Sequence, residues 1–229
     1  MTAATPNREL AAADDLTGDV LSGGGQQPGF SQPVHDAQRV FRAVLEALGR
    51  PTLPQALPRV VVPPAPLGAA AGAILLALCD DQTPIWLDKA LRASADVVSW
   101  LRFHTGARIV DEARDALFVV ACSPSAAPPL ADLAAGTDEE PHRSATVVID
   151  TTGARGTGSF TVTGPGVDGE ALWDGAGLPG RFLAPWAQNH ALFPRGVDLI
   201  LASSDPHGDT VRGLPRSTRL GGTENRSVN

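Results

Sequence analysis

The chain has 229 residues, of which 43% are hydrophobic, and its formal net charge is −7 with a sequence pI near 5.1. This length and apolar content are typical of one good-sized domain, with or without tails. The acidic balance argues against a general nucleic-acid binder, which needs a cationic face, and no apolar run approaches the roughly 20 residues that span a bilayer.

The N-terminal part of the chain differs in composition from the rest. Residues 1–29 consist largely of Ala, Asp, Gly and Gln without a sustained period and end in GGGQQPG, so we predict a disordered extension. A short amphipathic turn over residues 9–20 is the alternative. We expect residues 30–220 to form a single α/β domain and residues 221–229 to form a flexible tail.

The first predicted element of the domain is a helix from Pro33 to Leu48, ended by Gly49 and Pro51. Its predicted buried face consists of apolar residues three, four and seven apart: Val34, Ala37, Phe41, Val44, Leu45 and Leu48. Residues 51–68 contain six prolines, which excludes a helix and favours an extended covering segment. The apolar run at 73–78 predicts a buried strand.

The pattern then alternates between helix and strand. We predict one helix over residues 91–103, with Gly106 after its end, a buried strand over 117–122 and a short helix over 128–135. The runs at 145–149 and 159–163 predict two strands of an antiparallel hairpin, followed by an irregular loop over 164–180. A helix over 182–192 should turn Trp186 inward. The fold expected from this order is α/β, a mixed sheet with helices on both faces.

One further strand, at residues 197–202, is apolar except for Asp198, as in a central strand of an α/β sheet. Arg195 precedes this strand, and a polar, Gly-rich loop after it ends in Arg216 and Arg219, so we expect arginines at both of its ends. Arginines on loops at strand ends are suited to binding anions. The alternative is that these side chains are merely solvated.

A second candidate group, Arg102, His104 and Thr105, ends the helix predicted over 91–103. Cations there interact favourably with the C-terminal helix dipole. They could also form one half of an oxyanion pocket whose other half is Arg216 and Thr218, since phosphonate recognition needs forked donors. Spacing alone does not distinguish these two interpretations.

Motifs of independent catalysis are missing from the sequence. It contains no Walker A loop, GxSxG elbow, HExxH or CxxC, and its five histidines form no i, i+4 pair, so we predict no metal site and identify no catalytic residue. Cys79 and Cys122 are expected to be buried free thiols, with a disulfide as the alternative. Lys89, the only lysine, lies beside Asp88 and should form a solvated ion pair, so we expect neither a pyridoxal-phosphate Schiff base nor another cofactor.

Six segments, taken in order, resemble the PhnH family, a component of the bacterial carbon–phosphorus lyase system. They are PVHDAQRVFRAVLEALGRP from residue 33, TPIWL from 83, LRFHTGA from 101, VTGPGV from 162, FPRGVDLIL from 193 and LPRSTRL from 214. Each segment alone is weak, but six in order over residues 30–220 are specific. Two positions depart from the expected pattern: Ser217 stands where we expect threonine, and Thr52 stands where we expect glycine.

The resemblance implies a cytoplasmic subunit of a phosphonate-degrading assembly that also contains subunits G, I and J. The implied reaction couples an alkylphosphonate such as methylphosphonate to the ribose C1 of ATP and releases adenine, giving α-D-ribose 1-methylphosphonate 5-triphosphate. The implied fold is similar to the large domain of pyridoxal-phosphate-dependent transferases without the cofactor. The chain would not be catalytic alone. A purely structural subunit and a stand-alone phosphonate transferase are the alternatives, and the missing nucleophile and metal motifs disfavour the second.

Large apolar residues also lie in many of the predicted elements. We expect a single core to be too small to cover all of them, which leaves apolar surface exposed. Together with the resemblance, they predict a homodimer for the isolated chain. These residues are Phe30, Phe41, Trp86, Trp100, Phe103, Trp173 and Trp186.

Overall fold

Four parallel strands form the centre of the fold, in a computed structural model that describes residues 27–222. The helices are α1 (Pro33–Gly49), α2 (Ala69–Leu78), α3 (Lys89–Ala93), α4 (Ala95–Thr105) and α5 (Leu183–Ala191). The strands are β1 (Gln55–Leu57), β2 (Ile85–Leu87), β3 (Phe118–Ala121), β4 (Thr146–Asp150), β5 (Phe160–Thr163), β6 (Ala171–Trp173), β7 (Asp198–Asp205), β8 (Gly208–Leu214) and β9 (Arg219–Gly222). Among these helices, none is both long and apolar enough to cross a membrane.

The main sheet has six strands in the order β1-β8-β7-β4-β3-β2. Strands β7, β4, β3 and β2 are parallel, whereas β8 is antiparallel to both β7 and β1. One face of this sheet, including Val148 and Ile200, packs against α1, α2 and α4. The other face, including Val147 and Leu199, packs against Trp186 of α5 and against a smaller antiparallel sheet, β6-β5-β9. The expected mixed sheet with helices on both faces is therefore confirmed, as is the inward position of Trp186.

The strand predicted at residues 73–78 is wrong, because this run is the second half of α2. Residues 70–75 are all buried, so the helix has no polar face to reveal its period. A short run that is apolar all round does not distinguish a buried helix from a buried strand. The alanines preceding it favour a helix.

The helix predicted over residues 91–103 is two helices, α3 and α4, separated at Ser94. Both begin with a side-chain cap: the Asp88 carboxylate accepts from the N–H groups of Ala90 and Leu91, and the Ser94 hydroxyl accepts from Val97. Asp88 is therefore buried as a helix cap and forms no ion pair with the exposed Lys89, contrary to expectation. The short helix predicted over 128–135 is a single 3-10 turn, Leu130–Asp132.

The hairpin predicted from residues 145–149 and 159–163 is also wrong. Strand β4 lies between β3 and β7 in the main sheet, whereas β5 pairs with β6 and β9 in the smaller one. The loop predicted over 164–180 contains β6, the loop predicted after residue 202 contains β8, and residues 221–222 of the predicted tail belong to β9. The remaining predicted disorder, at 1–26 and 223–229, lies outside the described residues.

Helix α1 buries a different face from the predicted one. Its buried residues are Asp36, Val40, Val44 and Ala47, whereas Val34, Phe41 and Leu45 are exposed. The Asp36 carboxylate accepts from the Gln32 backbone N–H at 3.0 Å and from the Arg39 guanidinium at 2.7 Å. These hydrogen bonds, that from Gln32 first, lower the pKa of Asp36 below its usual 3.8. Because α1 buries this other face, Val34, Phe41 and Leu45 form an exposed apolar stripe on the helix.

Thr52 occupies the position where glycine is expected, and its φ of 66° lies in the left-handed region. Its buried backbone N–H donates to the Gly213 carbonyl at 2.9 Å, which fixes this conformation. A β-branched residue in this conformation is strained by about 1–2 kcal/mol. Glycine would remove the strain, but its greater conformational entropy in the unfolded chain would offset about 0.5–1 kcal/mol of the gain.

We therefore expect Thr52→Gly to raise the Tm by about 1–3 °C, measured by circular dichroism. Thr52→Ala is the matched control, because it retains the Cβ atom and hence the strain. A lower Tm for Thr52→Gly than for the parent chain would show that packing of the threonine side chain outweighs the strain.

Candidate functional site

The hairpin of β7 and β8 brings the arginines around the central strand to one edge of the main sheet. Arg195 precedes β7, and Arg216 follows β8, which runs antiparallel to β7. Both residues therefore lie at the amino-terminal ends of the parallel strands, which we call the amino edge. The prediction that arginines lie at opposite ends of this strand is wrong, because the segment assumed to be a loop returns as a strand.

Arg216 forms the centre of a dense set of contacts at the amino edge. Its Nε lies 3.1 and 3.2 Å from the two Asp198 carboxylate oxygens, and its second terminal nitrogen donates to the same carboxylate at 2.6 Å. The other terminal nitrogen donates to the carbonyls of Pro141 at 3.0 Å and Pro194 at 3.4 Å. The Asp198 carboxylate also accepts from the Arg216 backbone N–H at 2.7 Å. Arg216 thus joins three separate segments of the chain.

Helix α5 is attached to the same edge by two polar side chains. The Trp186 indole donates to the carbonyl of Thr218 at 2.9 Å, and Thr218 is fully buried. The His190 ring lies 2.9 Å from the carbonyl of Arg216 through Nδ1 and accepts from the Arg219 Nε at 3.0 Å through Nε2. Because a carbonyl only accepts, Nδ1 is the donor in the first contact, and Nε2 is the acceptor in the second. His190 belongs to no histidine pair in the sequence, and its position near the end of the helix predicted over 182–192 was the available signal.

The exposed part of the amino edge combines apolar and cationic groups. Phe193 is 61% exposed, and Leu192 before it is also exposed. Arg195 forms a half-exposed ion pair with Asp138 at 3.0 Å, and the Arg219 side chain is exposed. An apolar tip surrounded by charges is typical of a protein contact surface.

The second predicted group, on α4, has other roles. The Thr105 hydroxyl donates to the Leu101 carbonyl at 2.7 Å and accepts from the Ala107 N–H at 3.0 Å, so it closes the helix end. His104 Nε2 lies 3.0 Å from the carbonyl of Gln27, and its ring contacts the rings of Trp100 and Phe103. Arg102 is exposed, and no hydrogen bond or ion pair links its side chain to another residue of the 27–222 range.

The two predicted groups do not lie together. After α4 the chain passes through Ile109, which bridges Ile85 at the start of β2, whereas Arg216 follows β8. Strands β7, β4 and β3 lie between β8 and β2, so these two strands are roughly 19 Å apart at the usual strand spacing, and the groups lie on different parts of the molecule. The structure thus brings together Arg195, Arg216 and Thr218, and separately Arg102, His104 and Thr105.

The opposite, carboxyl edge of the parallel strands is where open α/β sheets usually bind ligands. Here that edge is closed by internal hydrogen bonds. The Asp88 carboxylate accepts from the Cys122 N–H at 2.6 Å, and the Ser204 hydroxyl accepts from the Ala70 N–H at 3.0 Å. The pKa of the Cys122 thiol is raised to about 11, mainly by burial and secondly by a hydrogen bond to Asp88. This thiol is therefore protonated at neutral pH and a poor nucleophile.

An apolar groove on the α5 side of the sheet is a further concave feature. Two adjoining cavities of about 380 and 250 Å³ share Pro129, Leu130 and Pro185 in their walls. The floor includes Val147, Ile149 and Leu199 of the sheet. No side chain of Asp, Glu, Lys, Arg or His lies among the described residues lining either cavity, so the groove is unsuited to binding an anion.

Comparison with known proteins gives two concordant results. The family model described as bacterial phosphonate metabolism protein (PhnH) matches residues 28–221. The chain is also 40% identical, over 191 residues, to the alpha-D-ribose 1-methylphosphonate 5-triphosphate synthase subunit PhnH of Rhizobium meliloti (strain 1021), which covers 83% of this chain and 93% of that protein. The resemblance carried by the six sequence segments is confirmed: the chain belongs to the PhnH family of bacterial phosphonate metabolism proteins.

Proposed function

We propose that the chain is a subunit of the carbon–phosphorus lyase core complex, required to couple an alkylphosphonate such as methylphosphonate to the ribose C1 of ATP. Adenine leaves, and the product is α-D-ribose 1-methylphosphonate 5-triphosphate. The observation that carries the proposal is the 40% identity over nearly the whole length of a synthase subunit. The proposal includes a cytoplasmic location and a fold similar to the large domain of pyridoxal-phosphate-dependent transferases.

The contacts of the potentially reactive side chains support a role within a complex rather than catalysis by the chain alone. The Cys122 thiol is protonated, and burial also raises the pKa of the Cys79 thiol. Both nitrogens of the His190 ring are engaged, by the Arg216 carbonyl and by the Arg219 guanidinium. His190 thus acts as a structural link and the two thiols are poor nucleophiles, so a stand-alone transferase is the weaker candidate.

The proposed partners are subunits G, I and J of the lyase core, with a homodimer for the isolated chain. Exposed apolar surface supports this assembly. Val34, Phe41 and Leu45 form a stripe on α1, and Phe193 projects from the amino edge. Trp100, Trp173 and Trp186, in contrast, are buried and unavailable to partners.

An anion contact by this chain is part of the proposal, with different roles for the six residues predicted from sequence. Arg195 is half exposed at the amino edge and is positioned to contact the anion, whereas Arg216 and Thr218 hold the backbone beneath it. His104 and Thr105 fix the end of α4. Arg102 is exposed on α4, on the β2 side of the sheet and remote from β8 in the strand order, and is not included in this contact.

The proposal is tested by purifying the tagged chain from its native cell and assaying adenine release from ATP and methylphosphonate. We expect the other core subunits to co-purify and only the assembled complex to release adenine. By light scattering, the chain alone should have about twice its mass of 23.7 kDa. A strain lacking the chain should fail to grow on methylphosphonate and grow normally on phosphate, which is the control.

Two outcomes would contradict this function. Adenine release by the isolated chain would favour a stand-alone transferase. If the complex forms without the chain and releases adenine at the same rate, the chain is not required for the reaction. A monomer that still assembles with the other subunits would remove only the homodimer.

A further inference from the structure

The apolar groove beside α5 is concave enough to enclose a small molecule. One wall is the segment that includes the 3-10 turn Leu130–Asp132, the other wall is α5, and the floor is formed by β4 and β7. Together, the two adjoining cavities of about 380 and 250 Å³ have the size of a small-molecule site. Such sites are mostly apolar and carry a few polar groups that orient the ligand.

One polar side chain on the α5 wall, that of Gln188, is available to a ligand. It is exposed, and no hydrogen bond joins its amide to another residue within 27–222. The neighbouring Asn189 amide is engaged, because it donates to the Val197 carbonyl at 2.9 Å and accepts from the Val197 N–H at 2.8 Å. A free glutamine amide offers one donor group and one acceptor side by side, which matches the edge of an adenine ring.

A cation stands at the amino-edge end of the groove. Leu192 of the α5 wall and Ala135 of the opposite wall line this end. The Arg195 N–H donates to the Leu192 carbonyl at 2.9 Å, and the Gly196 N–H donates to the Ala135 carbonyl at 2.8 Å. The turn that carries Arg195 is therefore fixed to both walls of the groove.

The Arg195 guanidinium has a partner that an anion can replace. Its ion pair with Asp138, at 3.0 Å, joins side chains that are 38% and 75% exposed. Exposed ion pairs of this kind stabilise a protein by at most about 1 kcal/mol. A phosphate group accepts two parallel hydrogen bonds from a guanidinium, which is a stronger interaction. Arg195 is thus suited to exchanging Asp138 for a phosphate.

We propose that the groove and Arg195 form one binding site for an adenine nucleotide. The base lies between the 3-10 turn and α5, beside Gln188, and the phosphates lie at Arg195. The groove itself has no charged side chain in its described lining, so it takes the uncharged, flat part of the ligand and leaves the anionic part outside.

This inference rests on the proposed function and identifies the anion that Arg195 contacts. Of the two substrates in the proposed reaction, ATP has both a flat apolar part and phosphates, whereas methylphosphonate has nothing to fill the groove. The product keeps the phosphates but has lost the base. It should therefore bind to this site more weakly than ATP, which favours its release.

The test measures the binding of ATP, AMP, adenosine and methylphosphonate to the isolated full chain by isothermal titration calorimetry. We expect ATP and AMP to bind, and methylphosphonate not to bind at the same concentrations. Ala131→Phe places a ring on the exposed wall of the groove and should weaken ATP binding at least about tenfold, or about 1.4 kcal/mol. Arg195→Gln should weaken ATP binding by a similar factor but leave adenosine binding unchanged.

Ala187→Phe is the matched control, since Ala187 is exposed on α5 but is not among the described residues that line the groove. Gln188→Leu retains the size of the side chain and removes its amide. It should weaken ATP binding about fivefold and leave the binding of hexyl phosphate, which has an alkyl chain in place of the base, unchanged. Circular dichroism verifies that each variant is folded.

Three results would overturn the site. They are no saturable ATP binding by the folded chain, equal ATP affinity of the parent chain and Ala131→Phe, and hexyl phosphate binding as tightly as ATP. The last would mean that the groove takes an alkyl chain. The proposed function is judged separately, by adenine release: a complex that releases adenine although the chain binds no ATP refutes the site alone. A chain that binds ATP within a complex that releases no adenine refutes the function alone.

Discussion

Arg216→Lys should lower the free energy of unfolding by about 2–4 kcal/mol, because a lysine cannot satisfy Asp198 and two carbonyls at once. The Arg216 and Asp198 side chains are only 15% and 21% exposed, so solvent compensates little for the lost hydrogen bonds. Three segments, which contain Pro141, Pro194 and Asp198, lose their common partner. Urea denaturation monitored by circular dichroism measures this loss, and the Tm should fall by about 5–10 °C.

Arg195→Lys is the matched control, because Arg195 is at the same edge but forms one half-exposed ion pair with Asp138. Its replacement should change the stability by less than about 0.5 kcal/mol. Growth on methylphosphonate separates structure from ligand binding in this pair. If Arg216→Lys retains full stability yet abolishes growth, Arg216 contacts substrate or a partner and its structural role is refuted.

Trp186→Ala should be the most damaging single replacement considered, with an expected loss of about 3–5 kcal/mol. Trp186 is 1% exposed, its ring stacks on Phe182, and its indole holds the Thr218 carbonyl. The replacement leaves a cavity between α5 and the sheet. It also removes the hydrogen bond that joins α5 to the Thr218 carbonyl, just before β9. We expect thermal unfolding at least about 10 °C lower, or an insoluble chain.

Trp186→Phe isolates the hydrogen bond from the packing in this experiment. It retains an aromatic ring against Phe182 but removes the indole donor, so the loss should be nearer about 1–2 kcal/mol. Equal losses for Trp186→Ala and Trp186→Phe would mean that the hydrogen bond to Thr218 outweighs the packing of the ring in the core.

The sequence alone identified the family and the central strands. The runs at 117–122, 145–149 and 197–202 are apolar because β3, β4 and β7 are covered on both faces, and such burial is visible in composition. The inward orientation of Trp186 was predictable because its helix has polar residues elsewhere that define an inner side. The six segments that resemble the PhnH family required no structure, since they are matched by residue identity and order.

The pairing of elements, in contrast, was determined only by the tertiary structure. Helix α2 could not be distinguished from a strand, because a segment surrounded by apolar neighbours shows no period. Strand β8 has the sequence of a loop because its polar and glycine residues are accommodated by hydrogen bonds to β7 and β1, which are contacts between segments distant in sequence. Asp198, the carboxylate partner of Arg216, is 18 residues away in the sequence. The separation of Arg216 from Arg102 depends on the strand order. Composition and periodicity report the local burial of a residue, whereas the arrangement of a site depends on long-range pairing that no local pattern encodes.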